Sequence, residues 1–139
     1  MDQPKLSGLV PDSLRRRSAK IVLDSLEVMA DIGFHEFEIG SPQRLLVTVE
    51  VWLDSAAGPS ADDPSSAWDY DYLRGQVIEL ATARRYNLQE TLAESIYERL
   101  AAMRGVKALR VSTSKPDVYP DAGGVGVEFA SFAGAAPDI

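Results

Sequence analysis

From Lys20 onward the spacing of apolar side chains marks out the elements of this chain. Ile21 and Leu23 alternate with polar neighbours, the phase slips at Ser25, and Leu26, Val28 and Ala30 resume the alternation. A period of two interrupted in this way predicts a strand with a β-bulge, ending near Ile32-Gly33. Gln43 to Asp54 is cleaner. Leu45, Val47, Val49, Val51 and Leu53 share one face while Thr48, Glu50 and Trp52 share the other, the pattern of an antiparallel strand buried on one side. The period then lengthens. Leu73, Val77, Leu80 and Ala81 fall on one side of a helix predicted from Tyr70 to Arg85, and Leu88, Leu92, Ile96, Leu100 and Met103 form the stripe of a second, from Leu88 to Met103. Asn87 is a favoured N-cap for that second helix and Gly105 a C-terminal stop. Alternation returns in Leu109, Val111 and Thr113. It returns again, past the turn-rich stretch 117–124, in Val125, Val127 and Phe129.

The order strand, strand, helix, helix, strand, strand keeps helices apart from strands. It predicts an α+β domain, a four-stranded antiparallel sheet with two helices packed on one face. Such a sheet leaves two edges and one face uncovered, which association of several copies would close, so a homo-oligomer is expected. Residues 34–42 read as a long connection and 56–67, rich in Gly, Pro, Ser and Asp, as a surface loop. Residues 1–18, with the triplet Arg15-Arg16-Arg17, read as a solvated tail, 19–132 as the domain, and 133–139 as a second, small and polar tail.

Composition narrows the partners. The 139 residues fit one domain, and 45% apolar with 25% charged residues is the balance of an ordinary globular chain. A formal net charge of −7 argues against nucleic acid, which is bound by clustered Lys and Arg. The chain has no cysteine, which excludes disulfides, thiol nucleophiles and Cys-held metals, and its single histidine, His35, leaves no metal-ligand cluster. No apolar run approaches membrane-spanning length, and the start Met1-Asp2-Gln3-Pro4 has no apolar signal region. A cytoplasmic protein without membrane contact is expected.

Candidate chemistry gathers at a few positions. Glu90 fits two roles. Asn87-x-x-Glu90 has the spacing of a capping box, in which the carboxylate reaches back to the cap's N–H. A carboxylate at the third position of a helix also suits recognition, accepting two parallel N–H bonds from an amidine-like edge. Lys115 ends an apolar strand just before Pro116. It is either a solvated charge or, if buried, a group able to exchange protons or form a Schiff base. Tyr70, within Trp68-Asp69-Tyr70-Asp71-Tyr72, is a packing residue at a helix start or a proton donor through its hydroxyl. Glu38, in the loop after the first strand, is by default a surface carboxylate. Gly123-Gly124-Val125-Gly126 leads into a strand, so close backbone packing explains it better than phosphate binding.

Four stretches, taken in order, resemble the bacterial dihydroneopterin aldolases of the tunnelling fold. They are Ile32-Gly33-Phe34-His35-Glu36-Phe37-Glu38 with Gln43, then Asp69-Tyr70, then Asn87-Leu88-Gln89-Glu90 leading to Leu92-Ala93-Glu94, and finally Ser114-Lys115-Pro116 with Gly124-Val125-Gly126-Val127-Glu128. The resemblance runs from about Ala19 to Phe129. It implies that Glu90 anchors a pterin through its 2-amino group and ring N–H. It also implies that Lys115 is the acid/base of a retro-aldol cleavage needing no metal, Schiff base or other cofactor. Tyr70, from a neighbouring subunit, would help move protons, and Glu38 would orient or charge-balance Lys115. The implied reaction splits 7,8-dihydroneopterin into 6-hydroxymethyl-7,8-dihydropterin and glycolaldehyde, a step of folate biosynthesis. The family builds its sites between subunits, in rings of four that pair into octamers. Gln89, where the family usually carries a second Leu, and Trp68 are departures, both placed by the resemblance along the pterin pocket. Two other readings share the fold: a 2′-epimerase of dihydroneopterin or its triphosphate, and a pterin-binding paralogue without turnover. The triphosphate calls for Arg or Lys near the pocket, and Arg84-Arg85 is the nearest pair in sequence.

Overall fold

The computed structural model describes residues 4–54 and 61–139. Strands β1 (Lys20–Ala30), β2 (Gln43–Leu53), β3 (Val106–Lys115) and β4 (Val125–Ala130) form one antiparallel sheet in the order β1-β2-β3-β4. Helices α1 (Tyr70–Ala83) and α2 (Gln89–Ala101) cover one face. The α+β architecture is therefore as the periodicities predict. The phase slip in β1 is a bulge: the register with β2 shifts between Leu23 and Leu26, and Ser25 takes a left-handed φ of 56° while its N–H donates to Thr48 Oγ1.

The core lies between this face and the helices. Leu45, Val47, Val49, Val51, Leu109 and Val111 from the strands meet Leu73, Val77, Leu92, Ile96 and Leu100, all at most 1% exposed. Burial of each such side chain contributes roughly 1.5–3 kcal/mol, so the sheet and the α2 stripe hold each other in place. The predicted stripe loses its first member. Leu88 is 44% exposed because α2 begins one residue later, at Gln89. Leu88 itself is the N-cap and makes no side-chain cap hydrogen bond. The expected capping box does not form, since Asn87 stands outside the helix with its Oδ1 accepting from Arg85 Nη1. Glu90 is accordingly the second residue of α2, not the third. By contrast α1 is capped by Asp69, whose Oδ1 accepts from Tyr72 N–H at 3.0 Å.

Two connections depart from their expected form. β1 ends at Ala30, and Ile32 makes a single parallel bridge to Tyr86 instead of extending the strand. The C-terminal tail is not loose. Ser131 and Leu109 exchange hydrogen bonds, Phe132 meets Trp52 edge-on at 5.1 Å, and Arg110 donates to the carbonyls of Gly134 and Ala135. The tail thus folds over one end of the sheet face that the helices leave open, and Trp52 on that face is 5% exposed. Of the predicted loop 56–67, residues 56–60 lie outside the described residues, as do 1–3 of the N-terminal tail; a short 3-10 turn forms at Pro64–Ser66. No helix among the described residues is long and apolar enough to cross a membrane.

Candidate active site

Where β1 ends and β3 turns, three backbone segments converge on α2's first turn. Arg85, just before α2, donates through Nη2 to the Gly33 carbonyl and lies 3.3 Å from Asp31 Oδ1. The backbone of Tyr86 pairs with Asp31 and Gly33. These bonds fix the 31–38 loop against the helix start. Gly33 has a φ of +124°, and a Cβ there would run into the carboxyl group of Glu38. Glycine is therefore required twice, for the backbone conformation and for the space. Gly33→Ala is expected to displace Glu38, lower Tm and cut kcat/KM at least about tenfold, backbone strain alone being worth ~1–3 kcal/mol; thermal melts and steady-state kinetics check both.

Glu38 is the buried centre of the loop, 7% exposed rather than a surface carboxylate. Its Oε2 accepts from Lys115 Nζ at 3.0 Å and from Gln43 Nε2 at 3.0 Å, and Oε1 accepts from the His35 N–H at 3.3 Å. Gln43 also donates to the Ile32 carbonyl at 2.7 Å, so one amide ties the carboxylate to the end of β1. Burial pushes the Glu38 carboxyl up. The hydrogen bonds from Gln43, Lys115 and His35, with the Lys115 charge, outweigh burial and hold it below the usual carboxylate value of 4.5. A carboxyl lowered in this way contributes stability that is complete above its ordinary value of 4.5 and is lost as pH falls from there through the lowered one. The Tm advantage of the wild type over Glu38→Gln should therefore be constant near neutrality and shrink below about pH 4.5, as paired melts across pH would record.

Lys115 is 9% exposed, at the end of β3, so the solvated-charge reading does not apply to it. Lys115, Glu38, Gln43, Gln89 and Glu90 all line one cleft of about 400 Å³, with Phe34, Phe37, Val118 and Tyr119 among the residues of its wall. Glu90 is exposed on its rim, and among the described residues no group hydrogen-bonds its carboxylate. Glu90 thus brings two acceptor oxygens without a described partner to the lining of the cleft, and adjacent N–H donors on a planar ring are the complement of such a pair. Lys115 is the one Lys or Arg among the described lining residues. Arg84 stacks on the Tyr86 ring at 4.0 Å and Arg85 is spent on the loop, so the Arg84-Arg85 pair supplies no phosphate cluster. Among the described residues no group of three His, Asp or Glu is arranged to hold a metal ion.

Gln89 lines the cleft but its amide is turned inward, bonded to Thr113 and Val125, so it does not present a free recognition edge. Trp68 and Tyr70 are not brought to this cleft within one chain. Trp68 donates its indole N–H to the Arg104 carbonyl, beyond the far end of α2, and the 13 residues of that helix span roughly 20 Å. Tyr70 is 61% exposed beside Ile21, Val22, Leu23 and Arg74. Those strand residues pair with 49–51, whereas Ser114, next to Lys115, pairs with Leu46, which puts Tyr70 about 15 Å along the sheet from Lys115.

Comparison with known proteins settles the family. The dihydroneopterin aldolase family model matches residues 21–130. The chain belongs to the dihydroneopterin aldolase family. The enzyme named dihydroneopterin aldolase of Methylorubrum extorquens is 33% identical over 98 residues, 70% of this chain and 75% of that one. Among solved structures, the dihydroneopterin aldolase of Burkholderia thailendensis bound to guanine superposes with a TM-score of 0.73 at 33% identity, covering 84% of this chain and 93% of the other. The Escherichia coli dihydroneopterin aldolase in complex with neopterin gives 0.75 at 25% identity, over 82% and 99%. The family is one of lyases, and the match covers all four strands and both helices.

Sequence reasoning weighed Arg85 only as half of a phosphate-binding pair and gave Gln43 no role. A strand-end glycine followed five residues later by a carboxylate, with an amide at the start of the next strand, is the signal that pointed to this loop. What the string does not show is that the amide and the arginine make the loop rigid.

Proposed function

We propose that this chain is a dihydroneopterin aldolase that cleaves 7,8-dihydroneopterin into 6-hydroxymethyl-7,8-dihydropterin and glycolaldehyde. One observation carries the reading: the buried Lys115–Glu38 pair stands in a cleft also lined by Glu90, whose carboxylate has no hydrogen-bond partner among the described residues. Glu90 accepts the 2-amino and ring N–H donors of the pterin, which sets the ring in the cleft. A proton leaves the 2′-hydroxyl, the C1′–C2′ bond breaks, glycolaldehyde departs, and the bonding electrons pass into the dihydropterin ring. C1′ then takes up a proton. Lys115, oriented and charge-balanced by Glu38, is the acid/base of that exchange. The ring is its own electron sink, so the chemistry asks for no cofactor.

Tyr70 enters this scheme from a second copy of the chain. Its distance from Lys115 along its own sheet and its 61% exposure support a site shared between subunits. Trp68 accompanies it on the same surface. The uncovered sheet edges β1 and β4 favour closure into a ring of four, paired as an octamer. In this reading residues 19–132 are the catalytic unit, 1–18 and 133–139 its tails, and the enzyme works in the cytoplasm.

Chromatography of the products from purified protein and 7,8-dihydroneopterin tests the proposal. Release of 6-hydroxymethyl-7,8-dihydropterin with glycolaldehyde is expected. Formation of the C2′ epimer alone would move the assignment to an epimerase, and binding without turnover to a non-catalytic paralogue. The scarcity of cations in the cleft favours unphosphorylated substrate over the triphosphate.

A further inference from the structure

Glu90 and Lys115 stand on different elements, one on the first turn of α2 and the other at the end of β3. That helix start has no side-chain cap of its own. What joins it to the strands is a buried polar bridge. Gln89, 8% exposed, accepts at Oε1 from Thr113 Oγ1 at 2.7 Å and donates through Nε2 to the Val125 carbonyl at 3.3 Å. Thr113, 3% exposed, lies two residues before Lys115 on the same face of β3, and Val125 is the register partner of Lys115 on β4. One amide thus ties the residue next to Glu90 to both strands that hold Lys115.

We infer that Gln89 and Thr113 are a positioning pair that fixes Glu90 relative to Lys115, and through it the tightness with which the pterin ring is held. This rests on the reading of Glu90 as the pterin anchor. A buried amide is costly unless its polar atoms are bonded, and it is directional when they are. Besides this bridge, the described restraints on the start of α2 are apolar packing at Leu92 and Ala93 and the backbone pairing of Tyr86, three residues before it, with the end of β1. Apolar contact tolerates small shifts and tilts that a 2.7 Å hydrogen bond does not. Gln89 therefore acts on the ligand through Glu90, with no contact of its own required.

Neopterin binding, followed by fluorescence titration, tests this without depending on turnover. Thr113→Val should raise Kd about five- to tenfold, the loss of one buried hydrogen bond, and Gln89→Leu, which also loses the bond to the Val125 carbonyl, at least as much. The double variant should be no worse than Gln89→Leu alone, because that change already removes the Gln89–Thr113 bond that Thr113→Val would break. Thr113→Ser, which keeps the hydroxyl, should retain wild-type Kd, and the pH profile of kcat should be unchanged in all of them. Variants with lower Tm but wild-type Kd would overturn the inference, leaving a purely structural bridge. A raised Kd in Gln89→Leu with a silent Thr113→Val would also overturn it, making Gln89 a direct contact. Wild-type protein that binds no neopterin would overturn the anchor reading itself, an outcome the control titration identifies before any variant is made.

Discussion

Lys115→Met is expected to lower kcat for dihydroneopterin cleavage by about 10²–10⁴-fold, the range that a positioned acid/base supplies, while neopterin Kd stays within a few-fold of wild type. Nζ is held by Glu38 at 3.0 Å, and Glu90, not Lys115, carries the free acceptor pair on the rim. One complication follows from burial. Removing the ammonium strands the Glu38 carboxylate, 7% exposed, and breaking a buried pair costs about 3–5 kcal/mol. The double variant Lys115→Met/Glu38→Gln removes that penalty, so it should recover Tm without recovering activity. Stopped-flow or steady-state kinetics with melts on both variants separate the two effects. Loss of neopterin binding in the stably folded double variant would make Lys115 a binding group instead.

The second large effect belongs to Glu90. Glu90→Ala should raise neopterin Kd by about 10²–10⁴-fold, two charge-assisted hydrogen bonds being lost at roughly 1.5–3 kcal/mol each. Tm should hardly move. Glu90 makes no cap hydrogen bond, and a second-position carboxylate gains only ~0.3–1 kcal/mol from the helix dipole. Calorimetric titration beside a thermal melt distinguishes recognition from capping directly. A large drop in Tm with unchanged Kd would restore the capping reading. Glu90→Gln, with one acceptor and a misplaced donor, should fall between wild type and alanine.

The fold was legible because its elements are regular. The period-two faces of β2 and the Leu92, Ile96, Leu100 stripe of α2 state which surfaces must meet, and even the bulge at Ser25 is written as a phase slip. Lys115 and Glu90 were visible as candidates from their places at a strand end and a helix start. Their settings were not. Whether Lys115 is solvated or buried depends on Glu38, 77 positions earlier, and a separation of that length leaves no periodic trace. Asn87 misled for a related reason. It is a good N-cap by type, yet Arg85 takes its side chain and the helix starts a residue later, which frees Glu90 for the cleft. The amide of Gln89, expected along the pterin pocket, turned out to be engaged beneath the helix, a direction that sequence spacing does not encode. The tail 133–139 reads as small and polar, but the carbonyls of Gly134 and Ala135 accept from Arg110, next to Phe132 on Trp52.

The most direct test of retro-aldol cleavage is to run the reaction in D₂O with EDTA-treated protein and examine the pterin product by mass spectrometry and NMR. Cleavage with protonation of C1′ from an acid in exchange with solvent predicts one deuterium on the 6-hydroxymethyl carbon, and full activity despite the chelator. A product without deuterium at that carbon, or activity abolished by chelation, would contradict the account.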